Sequence, residues 1–374
     1  MTSKMPVPGY LKFAPVIFRK TGVLPHYVVL FVTERCTANC KHCLLGQKTG
    51  NTDELTLEEI EMMSRHMNPL LFLLITGGDP FIRDDISEIV KTLYRKPGFR
   101  NLGMPTNGFL TEKIVTETER ILKDCPGIDF AVDVSIDGIG EDHDAIRRKP
   151  GLFKRAVTTY HELKKLTSRY DNFNLNVAVT VSAYNHDKLD ALYTFLRNEL
   201  GVVTINHLLC RGDPREKDAL DVNMENYRKF SEMLDRDMKN NSLKGYHGYP
   251  FADMVNAMKM VRQRLIHRIR KENRFIVPCY AARLGVVIYP NGDVVPCELR
   301  NETLGNLRTS GYNFRAILES ENAEKIRSAI RKEACYCTYE CFLTNAVMFN
   351  PILLFKVLLE TGRIKISRLF SGGE

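Results

Sequence analysis

Six short apolar runs, spaced by stretches long enough to be helices, constrain this 374-residue chain most. The runs are Tyr27–Val32, Leu71–Ile75, Leu102–Met104, Phe130–Ile136, Leu175–Val181 and Val202–Leu209. Between them lie amphipathic segments at Leu57–Met67, Asp84–Tyr94, Glu112–Leu122, Phe153–Leu166 and Asp187–Leu200, the first opened by a Thr56/Glu59 capping box. Strands separated by helix-length connections pair in parallel through right-handed crossovers. The pattern predicts an α/β fold, a partial (β/α)6 TIM-like barrel of parallel strands, with function at the C-terminal strand ends. Past Asn223 the rhythm changes to two long helical stretches, Met224–Asn240 and Phe251–Asn273, and then a cysteine-bearing segment.

Chemistry concentrates at the predicted strand ends. The first run leads into Cys36-Thr-Ala-Asn-Cys40-Lys-His42-Cys43. Three thiols in one short loop with no fourth nearby suit an iron–sulfur cluster that keeps one iron open, since four cysteines normally hold a cluster. Zinc is the alternative, but it prefers four ligands in paired spacings, and His42 is too close to Cys43 to complete a tetrahedron without strain. The second run ends Gly77-Gly78-Asp79-Pro80, where glycines permit close backbone approach and the acid can meet a cation; a plain turn with Asp79 capping the next helix explains it too. The third and fourth end Thr106-Asn107-Gly108 and Ser135-Ile136-Asp137-Gly138, both ordinary turn chemistry in isolation. Cys125 and Cys210 read as buried structural thiols.

A second set comprises Cys279, Cys297, Cys335, Cys337 and Cys341. Asn291-Gly292 is a strong hairpin signal that would return Cys297 toward Cys279. Five thiols suffice for one cluster, not two, and a zinc knuckle is the alternative.

The Cys-x3-Cys-x2-Cys spacing, the Gly-Gly-Asp-Pro turn, the Thr-Asn-Gly turn and the Ser-x-Asp-Gly strand end, in this order, resemble the radical S-adenosylmethionine (SAM) superfamily. The hairpin cysteines resemble its SPASM and twitch extensions. The resemblance implies that Cys36, Cys40 and Cys43 hold a [4Fe–4S] cluster whose open iron takes SAM. It implies that His42 supplies the ring usual before the third cysteine, and that Gly77, Gly78, Asp79 and Pro80 meet the SAM amino group, with aspartate where the family has glutamate. Thr106, Asn107, Ser135 and Asp137 would lie near SAM or substrate, and Asn176 and Arg211 near SAM's polar groups. His143-Asp144-x-x-Arg147 also resembles a subgroup pattern, although helix capping explains it nearly as well. Four of the five later cysteines would hold one auxiliary [4Fe–4S] cluster. The implied enzyme cleaves SAM reductively to a 5′-deoxyadenosyl radical that takes hydrogen from a substrate carbon, fed by a donor such as flavodoxin or ferredoxin.

The expected organisation is an N-terminal extension (1–24), a barrel core (25–222), a helical connector (223–278), an auxiliary-cluster domain (279–345) and an apolar-basic tail (346–374). A small-molecule or lipid-linked substrate ranks ahead of a ribosomally made peptide, because 35 residues ahead of Cys36 are too few for a precursor-binding domain. A non-catalytic iron–sulfur or zinc protein is the further alternative. Ten cysteines and no signal peptide predict a cytoplasmic location. The net charge of +8 permits anionic partners, and no nucleic acid is expected. The basic helical stretch Met254–Asn273, the Phe13–Phe18 run and Ile352–Leu359 with Arg363, Lys365 and Arg368 are each expected to pack first; together they also raise peripheral membrane contact.

Overall fold

The computed structural model describes residues 25–45, 53–247, 251–300 and 302–371. The Phe13–Phe18 run, the 1–24 extension and the final residues 372–374 lie outside the described residues. Six strands, β1 (Tyr27–Thr33), β2 (Leu70–Gly77), β3 (Phe99–Thr106), β4 (Asp129–Ser135), β5 (Phe173–Val181) and β6 (Ile205–Leu209), lie side by side in chain order, every neighbour parallel. The crossovers contain α1 (Leu57–Ser64), α2 (Ile86–Arg95), α3 (Thr111–Asp124), α4 (Glu141–Arg147), α5 (Leu152–Thr167) and α6 (Leu189–Thr194). Every residue of β1 is buried, as expected for a strand covered on both faces, whereas β4 alternates.

β3 extends well beyond the apolar run Leu102–Met104. The polar residues that hid it are satisfied by neighbouring strands: Arg100 pairs with Asp129 at 2.8 Å, and Asn101 Nδ2 donates to the Leu71 carbonyl at 2.8 Å. At β6 the opposite holds, because Val202 still belongs to the turn, its N–H returning to the Leu196 carbonyl at 2.8 Å.

The six-stranded sheet does not close on itself. β7 (Gly285–Ile288) adds in parallel to the free side of β1, with Tyr27 opposite Gly285, followed by the antiparallel β8 (Asp293–Val295) and β9 (Gly305–Asn306). The expected hairpin forms, but it continues the barrel sheet. The opposite edge, β6, is sealed by side chains. From α8 (Ala252–Glu272), which follows α7 (Met224–Lys239), Lys259 Nζ donates to the Ile205 carbonyl and Gln263 Nε2 to the His207 carbonyl. Glu340 Oε1 accepts the Leu209 N–H at 2.9 Å. Covering an edge in this way removes a template for pairing with other chains. Lys259 is therefore buried, and burial pulls its ammonium down to about 7.

Among the described residues four more helices follow: α9 (Phe314–Glu319), α10 (Glu321–Lys332), α11 (Glu340–Phe349) and α12 (Pro351–Ser371). Among the described residues no single helix is long and apolar enough to cross a membrane, and α11 and α12 meet at 91° at Pro351.

Candidate active site

The cysteine loop leaves the C-terminal end of β1 and is clamped on two sides by backbone hydrogen bonds. Asn39 and Lys41 donate to the carbonyls of Arg147 and Ile146 at the end of α4; Arg215 and Glu216, after β6, donate to the carbonyls of Cys43 and Lys41. The glycine pair at the end of β2 supports it from below. A Cβ on Gly77 would stand 2.2 Å from the Thr33 carbonyl oxygen, and one on Gly78 would stand 2.1 Å from that of Arg35. The N–H groups of Gly78 and Asp79 donate to these two carbonyls. The glycines thus admit the strand leading into the cysteine loop, a packing reason for what reads in sequence as ligand approach.

A cavity of about 250 Å³ opens at these strand ends. Cys36, Cys40, Cys43, His42, Gly77, Gly78, Thr106, Asn107, Ser135 and Arg211 all line it, as do Arg147 and Glu298. The three thiols differ in setting. Cys36 is exposed, and its sulfur accepts from Ala38 N at 3.5 Å and Asn107 Nδ2 at 3.4 Å. Cys40 is buried with Arg147 Nη1 3.9 Å away; burial pushes its thiol up to about 12 against the pull of that guanidinium. Such a thiol keeps its proton until a metal replaces it. The His42 ring is held neutral by burial, down to about 4, with Nε2 3.6 Å from Asp137 Oδ2.

Four expected contact residues do not line the cavity. Asp79 is buried, and its carboxylate accepts from Thr106 Oγ1 at 2.8 Å, Asn107 N at 2.9 Å and Phe81 N at 3.1 Å. It ties the β2 and β3 ends together and caps the short turn begun by buried Pro80. Asp137 is fully buried, its carboxylate held below the usual range against burial by Arg147, 2.7 Å away. It also accepts the Thr180 N–H at 2.7 Å. Asn176 sits lower on β5, donating to Asp133 at 3.2 Å. These three polar side chains face protein partners, which strand-end position alone could not reveal.

Sequence reasoning left Arg147 and Glu298 unassigned. Arg147 was within reach: the His143-Asp144-x-x-Arg147 pattern divides its labour, Asp144 capping α5 through the Phe153 N–H at 2.7 Å while Arg147 turns into the site. Glu298 carried no signal beyond adjacency to Cys297. Cys125 is a core thiol as expected; Cys210 is equally buried, yet it forms part of the cavity wall.

The second cavity, about 540 Å³, is lined by Cys279, Cys297, Cys335 and Cys337. Cys341 is not among them. It lies one helical position into α11, beside the Tyr27 hydroxyl and near Arg211 and Glu298. Cys279 accepts from Ala281 N and Cys337 from Tyr339 N, each at 3.5 Å. A hydrogen bond from Cys279, aided by Arg300 and against burial, holds Cys335 below the ordinary thiol range. Such N–H and cationic partners stabilise thiolates that bind iron. Among the described residues no three Cys, His, Asp or Glu side chains gather tightly enough for a single ion, at this cavity or at the first.

Arg211 joins the two cavities. Its guanidinium is 2.7 Å from Glu340 and 3.7 Å from Glu298, and lies 4.2 Å over the Tyr339 ring. Tyr339 lines the second cavity and donates its hydroxyl to Glu298, which lines the first.

An open parallel barrel with a three-thiol loop at its C-terminal mouth and a second thiol-lined cavity is an arrangement suited to binding iron–sulfur clusters. Residues 30–196 match the radical SAM superfamily, and residues 279–342 match an iron–sulfur cluster-binding domain, SPASM. The chain is a radical SAM enzyme of the SPASM type; its cofactors are a [4Fe–4S] cluster, SAM and auxiliary iron–sulfur. It is 28% identical over 321 residues to a probable GTP 3′,8-cyclase of Methanothermobacter thermautotrophicus, covering 83% of this chain and 95% of that protein. It is 24% identical over 296 residues to the antilisterial bacteriocin subtilosin biosynthesis protein AlbA of Bacillus subtilis, covering 77% of this chain and 59% of AlbA. The fold is that of anSMEcpe with bound AdoMet (TM-score 0.58, 14% identity, 93% of this chain and 98% of that one). It is also that of Streptococcus suis SuiB bound to precursor peptide SuiA (TM-score 0.59, 13% identity, 86% and 70%).

Proposed function

We propose that this enzyme removes hydrogen from a carbon of a small-molecule or lipid-linked substrate held at the barrel mouth. The observation that carries the reading is the convergence of the three cysteines, the glycine pair, Asn107, Ser135, Arg211 and Glu298 on one cavity. The thiols there fit a site-differentiated cluster, because three thiols from one short loop face the space. Cys36, Cys40 and Cys43 would hold that cluster, which would supply one electron to SAM, and SAM would supply the hydrogen-abstracting radical. His42, Gly77, Gly78, Thr106, Asn107 and Ser135 form the SAM bed. Asp79, Asp137 and Arg147 set its shape, and Arg211 and Glu298 face the substrate side. Cys279, Cys297, Cys335 and Cys337 hold the auxiliary cluster, and a flavodoxin- or ferredoxin-type donor reduces the enzyme.

Support for a small substrate comes from the Methanothermobacter relative, named for a nucleotide and matched over 95% of its length. A peptide substrate is the second reading, favoured by the likeness to AlbA and to SuiB, the latter solved with its precursor peptide. Comparative mass spectrometry of metabolites, lipids and peptides from a deletion strain and its parent separates them: a peptide as the only changed species overturns the first reading. Anaerobically reconstituted protein that binds iron but leaves SAM intact under strong reductant overturns both, in favour of a non-catalytic metal protein.

A further inference from the structure

Helix α12 carries two apolar faces, and among the described residues only one is packed. Leu353, Val357 and Ile364 are buried against the body of the protein. On another face Ile352, Phe355, Leu359, Ile366, Leu369 and Phe370 recur at three-, four- and seven-residue intervals and are exposed, Leu369 by 80% and Phe370 by 85%. That spacing keeps them on one stripe of a 21-residue helix, roughly 30 Å long. A continuous apolar stripe of this kind marks an interaction surface, unlike single exposed leucines.

We infer that this stripe docks on the surface of an anionic lipid bilayer, with α12 lying in the plane of the interface. Charge selects that occupant. Lys356 and Arg363 border the stripe on one side and Lys365 on the other, all exposed. The helix's single carboxylate, Glu360, is turned inward, 2% exposed and ion-paired with Lys239, Arg264 and Arg363. The outward surface of α12 therefore presents aliphatic and aromatic groups flanked by cations, with no acidic group of its own. Lysine and arginine stems can lie along the apolar surface while their charges reach lipid phosphates. Among the described residues no single helix is long and apolar enough to cross the bilayer, and the other face of α12 packs on the protein.

Flotation of the full-length protein with phosphatidylcholine vesicles, with and without about a third phosphatidylglycerol, tests this. The parent is expected to float with the anionic vesicles and far less with phosphatidylcholine alone, and salt should weaken the attachment. Neutralising Lys356, Arg363 and Lys365 to glutamine should lower partitioning roughly a hundredfold at low salt, at about fivefold per charge. Phe355→Asp with Leu359→Asp and Ile366→Asp should abolish it while leaving the thermal midpoint unchanged, since those side chains face solvent. Parent protein left at the bottom with both vesicles, or a triple aspartate variant that floats like the parent, overturns the proposal. So does a dimer in solution that the aspartate variant turns into monomer, because a second copy then covers the stripe. Cys40→Ala should float normally, which separates this outcome from the catalytic reading.

Discussion

The two cysteine sites are built in opposite ways. The first comes from eight consecutive residues, Cys36 to Cys43, on one loop held between α4 and the segment after β6. The second gathers four thiols from three separate stretches of chain, with Cys279 and Cys337 58 residues apart. A local loop fixes ligand spacing in the sequence itself, whereas a dispersed site exists only once the β7–β8 hairpin and the turn before α11 have folded. The dispersed site also shares walls with its neighbour through Arg211, Glu298 and Tyr339, so the two cannot be treated as independent modules.

The largest expected effect breaks the comparison at the local site. Cys40→Ala should reduce 5′-deoxyadenosine formation by anaerobically reconstituted protein to background, and retained cleavage would remove the loop from the chemistry. The next prediction sharpens the dispersed site. Total iron should approach about eight per chain, with about half lost in Cys337→Ser and none in Cys341→Ser. Equal losses in the two variants would place Cys341 among the ligands. Arg211→Gln tests the shared wall. Removing one partner from a buried ion cluster should destabilise the protein by about 3–5 kcal/mol, read as a lowered thermal midpoint. An unchanged midpoint would mean the sites are mechanically separate.

The smallest effect lies at the capping box of α1. Glu59 caps through the Thr56 N–H at 2.8 Å and also accepts from Arg308 and Tyr312 of the auxiliary segment, which hold its carboxyl down to about 2. A carboxyl depressed in the folded state contributes stability that is complete above its unfolded value near ~4.3 and lost as the pH falls toward 2. Glu59→Gln should therefore cost about 1 kcal/mol at pH 7 and progressively less below about pH 4, followed by denaturant midpoint. A difference that persists at pH 2 would assign the effect to packing.

Much of this was legible before folding. The capping box formed as Thr56 and Glu59 predicted, but nothing near Glu59 pointed to Arg308, 249 residues away. Asp79 shows the converse: its strand-end position is as expected, while its short arm reaches the backbone of Asn107 and the hydroxyl of Thr106, leaving no oxygen turned to the cavity. β3 was underestimated because Arg100 and Asn101 interrupt its apolar run, and their partners Asp129 and Leu71 are neighbours only across the sheet.

What the sequence determined alone is whatever depends on short-range spacing: the cysteine loop, the strand–helix rhythm, the hairpin turn and the order of strand-end motifs. These rest on local geometry, since helix and strand periods and ligand spacing are set within a few residues. Tertiary structure alone decided that Cys341 stands apart from the second cavity, that Arg147 and Glu298 reach the first, and that one face of α12 is left to solvent. Those outcomes depend on which side chains find partners across long loops, where burial and hydrogen bonding rather than spacing choose the winner.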